Sequence, residues 1–170
     1  GNVQEVGDFL VGDFIGEGMF SVVCECFDKR EKDANSSQTP LVESKLGPWY
    51  YKKELAIKII RKTKLATYHS VRRISNEIKV LSELSHPQII NLRQILHSPG
   101  YLYMIFEKGP RDLFEFTYEF PDVFASSSYL RFRLIRSALQ ALAFIHTNGY
   151  CHLDLKPENL LIEPIYGKHP

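Results

Sequence analysis

The strongest constraint on this chain is one run of residues, His152-Leu153-Asp154-Leu155-Lys156-Pro157-Glu158-Asn159-Leu160-Leu161-Ile162. It follows a stretch with helical periodicity that ends at Asn148-Gly149, a pair able to take positive φ and stop a helix. It precedes a short apolar strand. Asp154, Lys156 and Asn159 therefore sit close together in a polar loop bracketed by leucines. Whatever fold the chain adopts must hold this loop between a helix and a strand.

The residue types in the loop make a chemical set. A carboxylate accepts a proton from a hydroxyl nucleophile, and a lysine neutralises a transferring phosphate. An amide oxygen ligates Mg²⁺, which prefers hard oxygen donors. A charged surface loop is a poor account of so specific a string.

Upstream, the first part of the chain reads as strands at 9–15, 21–27 and 54–60, the last of these Glu-Leu-Ala-Ile-Lys-Ile-Ile. Residues 29–53 carry Asn35, Ser36, Ser37, Pro40, Gly47 and Pro48, which suit a long, partly disordered insertion. The alternative is that its apolar knot, Trp49-Tyr50-Tyr51, docks on the body. A helix follows, with Val71, Ile74, Ile78 and Leu81 on one face, ended by Ser85-His86-Pro87. Residues 89–96 and 101–106 read as two strands around His97-Ser98-Pro99-Gly100. Beyond Gly109-Pro110 the chain turns helical, at 112–120 and again at 128–148. Leu134, Ala138, Ala141, Leu142 and Ile145 form the buried stripe of the longer helix.

Three weaker signals precede the loop. Ile15-Gly16-Glu17-Gly18-Met19-Phe20-Ser21-Val22-Val23 places two glycines between strands, where backbone can approach a phosphate closely. By itself the same pattern describes a glycine-rich hairpin. Lys58 lies in a strand that otherwise wants to be buried, and a buried ammonium needs a partner. Glu77 on the following helix could supply it. Read alone, Lys58 is also a lysine on an edge strand, and Glu77 a helix-surface glutamate.

Composition bounds the class. Of 170 residues 44% are apolar and 24% charged, which is globular. Lys plus Arg is 21 against 20 for Asp plus Glu, a net charge of +1, so charge gives no argument for nucleic acid or a membrane surface. Cys24, Cys26 and Cys151 form no even framework, and a reduced cytoplasmic or nuclear setting is expected. No apolar run approaches the roughly 20 residues of a membrane helix. No basic segment followed by an apolar stretch opens the chain, and a first residue Gly rather than Met leaves upstream segments open.

Taken in order, these four signals resemble the protein kinase family over almost the whole chain. The resemblance implies an α+β, protein kinase-like fold. A five-stranded antiparallel N-lobe with its helix C would occupy 1–106, with 29–53 inserted between the second and third strands. A hinge would follow at 107–111, then a partial helical C-lobe at 112–170. It implies ATP and Mg²⁺ as cofactors and a Ser/Thr protein as substrate, with no nucleic acid or membrane and an unknown regulatory protein. Ile15, Gly16 and Gly18 would belong to the nucleotide-binding set, the glycines covering the phosphates. Val23 and Ala56 would sandwich the adenine from above and Leu161 floor it. Lys58 would pair with the phosphates and with Glu77. Phe106 would be the gatekeeper, and the Glu107 carbonyl and Gly109 N–H would bind adenine, with Asp112 near the ribose. Asp154 resembles the catalytic base, Lys156 the phosphate contact of Ser/Thr kinases, and Asn159 a magnesium ligand.

Three departures from the family pattern stand out. Ser21 replaces the third glycine. Leu153 replaces the arginine that in the family typically pairs with an activation-loop phosphate, so gating by that ion pair is not expected. No aspartate follows Asp154, so the family's Asp-Phe-Gly is missing, and the expected reason is a sequence cut short before it. The 170 residues alone are therefore expected to be inactive, and poorly stable or prone to associate through the apolar surface of the long helix. The rival expectation is a pseudokinase or nucleotide-binding scaffold without turnover. Gly18 to Val23 resembles calcium/calmodulin-dependent kinases, whereas Phe106-Glu107 with Asp112-Leu113 resembles the cyclin-dependent group.

Overall fold

The structure, a computed structural model, describes residues 4–30, 55–109 and 111–162. Most of the expected insertion at 29–53, including its aromatic knot, lies outside these residues. In chain order the elements are β1 (Gln4–Val6), β2 (Phe9–Glu17), β3 (Ser21–Asp28), β4 (Leu55–Arg61), α1 (Tyr68–Glu83), β5 (Leu92–His97), β6 (Tyr101–Glu107), β7 (Arg111–Asp112), α2 (Leu113–Glu119), α3 (Pro121–Ser126), α4 (Ser128–Thr147) and β8 (Leu161–Ile162). The architecture is α+β. Two compact units share the chain: 4–81 with 91–108, and 82–90 with 109–162.

The first unit is built on a six-stranded antiparallel sheet in the order β1-β2-β3-β4-β6-β5. This corrects the expected five strands. The additional strand, β1, is short and buries only Val6, so its apolar alternation is too brief to read from sequence. Alternating side chains of β4 and β6 split the sheet's interior in two. On one face Leu55, Ile57, Tyr103 and Ile105 pack with Val6, Phe9, Val11 and Cys26. On the other, Ile60, Leu102 and Met104 pack with Ile74 of α1, backed by Ile78 and Leu81. Ile57, Ile60, Met104 and Ile105 are wholly buried, each stabilising the fold by about 1.5–3 kcal/mol.

Some expected boundaries move. Val71 shares the apolar stripe of α1 but is half exposed. The helix's first turn is held instead by Ser70, whose Oγ donates to the Thr67 carbonyl at 2.8 Å. The strand expected at 89–96 begins only at Leu92, because Ile89 N–H closes a turn onto the His86 carbonyl at 2.9 Å. The hairpin between β5 and β6 closes through Ser98 N–H donating to the Tyr101 carbonyl, with Pro99-Gly100 at its tip.

In the second unit, Phe116, Leu130 and Ile162 form a small core with Leu113, Phe124 and Leu134 around it. Helix α4 turns Leu130 and Ile145 inward, with Leu134, Ala138, Ala141 and Leu142 half-buried along the same stripe. It ends on a Schellman pair: Tyr150 N–H donates to the Ile145 carbonyl and Gly149 N–H to that of His146, with Gly149 at φ +80°. Its other face leaves Tyr129, Phe132, Ile135 and Leu139 exposed. Segment 82–90 docks on this helix's C-terminal end, where the His86 ring stacks on Phe144 at 4.7 Å. No helix among the described residues is long and apolar enough to cross a membrane.

Candidate functional site

Two lines of paired residues cross the sheet of the first unit. Gly16 pairs with Val23, Val23 with Lys58, and Lys58 with Met104. Beside it, Glu25 pairs with Ala56 and Ala56 with Phe106. Directly opposed residues share a face, so Val23, Ala56, Lys58 and Phe106 lie on the side where α1 packs. Lys58 Nζ donates to Glu77 Oε1 at 2.5 Å, with 23% and 30% of the two side chains exposed. The helix thus supplies the counter-charge that a half-buried ammonium in an apolar strand requires.

The two loop glycines differ in why they are glycine. Gly18 closes a tight turn with Ser21: its N–H donates to the Ser21 carbonyl at 2.8 Å, and an added Cβ would lie 2.9 Å from Ser21 Oγ. At Gly16 an added Cβ would meet nothing within 4 Å among the described residues. Packing among the described residues therefore accounts for Gly18 and sets no such limit at Gly16. Ile15, just before it, is exposed.

On the sheet's opposite face lies Cys26, wholly buried. Burial, followed by the charges of Asp28 and Cys24, pushes its thiol up to about 12. It is a core residue and no nucleophile.

In the second unit the polar loop is organised around Asp154. Asn159 Nδ2 donates to the Asp154 carbonyl at 2.7 Å and to its Oδ2 at 3.1 Å. Lys156 Nζ lies 3.6 Å from the same Oδ2. Asp154 N–H donates to His152 Nδ1 at 3.3 Å. A short 3-10 turn, Pro157–Asn159, folds Asn159 back toward Asp154. Both donor hydrogens of the Asn159 amide nitrogen serve Asp154, which leaves Oδ1 as a hard oxygen donor suited to Mg²⁺. Among the described residues no three His, Cys, Asp or Glu side chains gather as a metal set. Leu153 takes a left-handed φ of +60° and is 94% exposed.

Asp112 and Leu161 are paired residues of β7 and β8. Asp112 also caps α2, accepting from Glu115 N–H at 2.8 Å. An added Cβ on Gly109 would meet the Leu161 side chain, which would have to turn aside. The structure thus groups Gly16, Val23, Ala56, Lys58, Glu77 and Phe106 in one unit, and Gly109, Asp112 and Leu161 in the other beside a separate cluster of Asp154, Lys156 and Asn159.

Sequence reasoning missed one feature. Lys108 Nζ donates to Glu25 Oε1 at 2.6 Å, an ion pair 83 residues apart in the chain. The available signal was parity: Glu25 follows Val23 by two residues and so shares its face.

Comparison with known proteins follows the same stretch of chain. The profile described as "Protein kinase domain" matches residues 50–167. Cyclin-dependent kinase F-3 of Oryza sativa subsp. japonica is 38% identical over 86 residues, 51% of this chain and 19% of that protein. Serine/threonine-protein kinase ICK of Rattus norvegicus is 39% identical over 85 residues, 50% and 13% of the two chains. Maternal embryonic leucine zipper kinase of Xenopus tropicalis is 35% identical over 111 residues, 65% of this chain and 16% of that protein. The match spans less than a fifth of each of these relatives.

Proposed function

Because the chain belongs to the eukaryotic-type Ser/Thr protein kinase family, matching its domain over residues 50–167, we propose that the full protein transfers the γ-phosphoryl group of ATP to Ser or Thr hydroxyls of a protein substrate. The observation that carries this reading is the Lys58–Glu77 pair at 2.5 Å. A half-buried ammonium with its own carboxylate is not required by the packing of β4. It is what a phosphate-binding lysine needs to stay extended and charged.

Each residue then has a role. Gly16 and Gly18 let the backbone approach the phosphates. Val23 and Ala56 cover one side of the adenine and Leu161 the other, with the Glu107 carbonyl and Gly109 N–H at its edge, Phe106 behind it and Asp112 at the ribose. Lys58 holds the α- and β-phosphates. Asp154 accepts the proton of the substrate hydroxyl as its oxygen forms a bond to the γ-phosphorus and the bond from that phosphorus to the β,γ-bridging oxygen breaks, releasing ADP. Lys156 offsets charge on the moving phosphoryl group. Asn159 Oδ1 would hold Mg²⁺, which would neutralise phosphate charge. Its amide is kept in that orientation by Asp154. Catalysis of this kind is mainly positioning and charge stabilisation. No aspartate follows Asp154 in these 170 residues, so by this reading they bind nucleotide and do not turn it over.

The test uses the full-length protein with Mg-ATP and a Ser/Thr-containing protein acceptor. Transfer of labelled phosphate, lost in Lys58→Met and in Asp154→Asn, is the expected outcome. Nucleotide binding without transfer in the parent protein would replace this reading with that of a nucleotide-binding scaffold.

A further inference from the structure

The register of β4 and β6 ends with Leu55 opposite Glu107. The next residue, Lys108, is tied to the sheet by its side chain, which reaches Glu25 on β3 at 2.6 Å. Only 22% and 29% of these two side chains is exposed. Glu25 pairs with Ala56, which pairs with Phe106. Glu25 therefore flanks Ala56 across the strands, and Lys58, paired with Glu77, lies two positions along β4 from it. Two residues of strand separate Ala56 from Lys58, about 7 Å. The strip bounded by the two ion pairs offers Val23, Ala56 and Phe106, a narrow apolar surface suited to the edge of a planar heterocycle.

We propose that Lys108 and Glu25 form a positioning clamp that fixes the backbone at Glu107 and Lys108 for adenine and thereby sets nucleotide affinity. The inference rests on the kinase reading of the same strip. Neither side chain touches the transferring phosphate in this scheme. The clamp acts on the strand end that presents backbone groups to the base. A partly buried pair between distant strands restricts that end more than an exposed pair would. Glu25 also neutralises Lys108, so the clamp presents no free ammonium to compete with Lys58 for the phosphates.

The experiment measures Mg-ATP KM, kcat and ADP binding on the full-length protein. Glu25→Gln and Lys108→Met are each expected to raise KM for ATP about fivefold, the effect of losing one partly buried ion pair. kcat and the KM for the protein acceptor stay at parent values. Exchanging the charges, Glu25→Lys with Lys108→Glu, restores the KM to within about twofold, because the pair is re-formed in reverse. The melting temperature of each variant verifies folding. The clamp is overturned if the single variants keep the parent KM, if Glu25→Gln tightens nucleotide binding, or if a folded double exchange does not recover. If the parent itself binds no nucleotide, the kinase reading fails and the clamp with it. If the parent binds and the variants match it, the clamp alone fails.

Discussion

Gly109 and Leu161 touch so closely that a β-carbon built on Gly109 lies 2.0 Å from Leu161 Cδ1 and 3.1 Å from its Cγ. Gly109→Ala must turn the end of the leucine side chain aside, and because Leu161 is 42% exposed it has room to move, so the cost should be about 0.5–1.5 kcal/mol. Denaturant midpoints of Gly109→Ala in the parent and in a Leu161→Ala background measure it. The penalty should shrink in the second background. Equal penalties in both would sink the contact.

This contact also marks where sequence reading stops. The loop from His152 to Ile162 and the strand carrying Lys58 were legible because their signals are local. Gly109 and Leu161 are distant in the chain, and nothing near either residue announces the other. Lys108 and Glu25 are likewise distant, and the parity that puts Glu25 on the face of Val23 does not name Lys108 as its partner. Strand β1 was missed because three residues, two of them exposed, carry almost no periodicity. Helix α3 was missed although Pro121 at its first position and Asp122 in its first turn are start signals. The α4 stripe was legible because a 20-residue helix repeats its pattern often enough to read.

Lys58 and Glu77 should behave as a unit. By the proposed kinase reading Lys58→Met removes a phosphate contact, and it is expected to lower transfer at least about 100-fold. Glu77→Gln leaves Lys58 half-buried with a weaker partner and should lower it about tenfold. A double-mutant cycle on folding stability should return a coupling of about 1 kcal/mol, since both groups are only partly shielded from water. Additive effects on stability and on activity would separate the two residues.

Asn159 has two jobs in this geometry, bonding Asp154 and offering Oδ1. Asn159→Ala loses both. Its exposed hydrogen bonds contribute little, so stability should fall by less than about 1 kcal/mol. Transfer should fall about 100-fold, as for loss of a group that fixes charge at the reacting centre. The Mg²⁺ concentration needed for half-maximal rate should rise as well. Activity that drops with an unchanged Mg²⁺ requirement would restrict Asn159 to orienting Asp154.

Asp28 supplies a pH signature in the first unit. It is buried, and its carboxylate accepts from Arg30 N–H, Nε and Nη2 at 2.9, 2.8 and 2.6 Å. The Arg30 side-chain hydrogen bonds hold its pKa below the usual carboxylate value, against the opposing effect of burial. A carboxylate depressed on folding adds stability above its unfolded pKa and loses it as pH falls through the folded one. Asp28→Asn should therefore cost about 1.5 kcal/mol at neutral pH. The difference from parent should vanish as pH drops below the ordinary carboxylate range. A gap that stays constant down the acid limb of the stability curve would exclude the charge as its source.

Leu153 combines two properties that pull against each other, a left-handed backbone and a side chain 94% exposed. A β-carbon in that region costs roughly 1–2 kcal/mol, and an exposed leucine returns almost nothing by burial. Asparagine tolerates the conformation better, so Leu153→Asn should raise stability by about 0.5–1 kcal/mol. Leu153→Arg keeps the strained backbone and should leave stability near the parent value. It adds the guanidinium that a phosphorylated activation loop could pair with. Full-length parent protein should therefore change rate little on phosphorylation of that loop, and Leu153→Arg should make the rate respond. Strong activation of the parent by loop phosphorylation would show that another cation already fills the role.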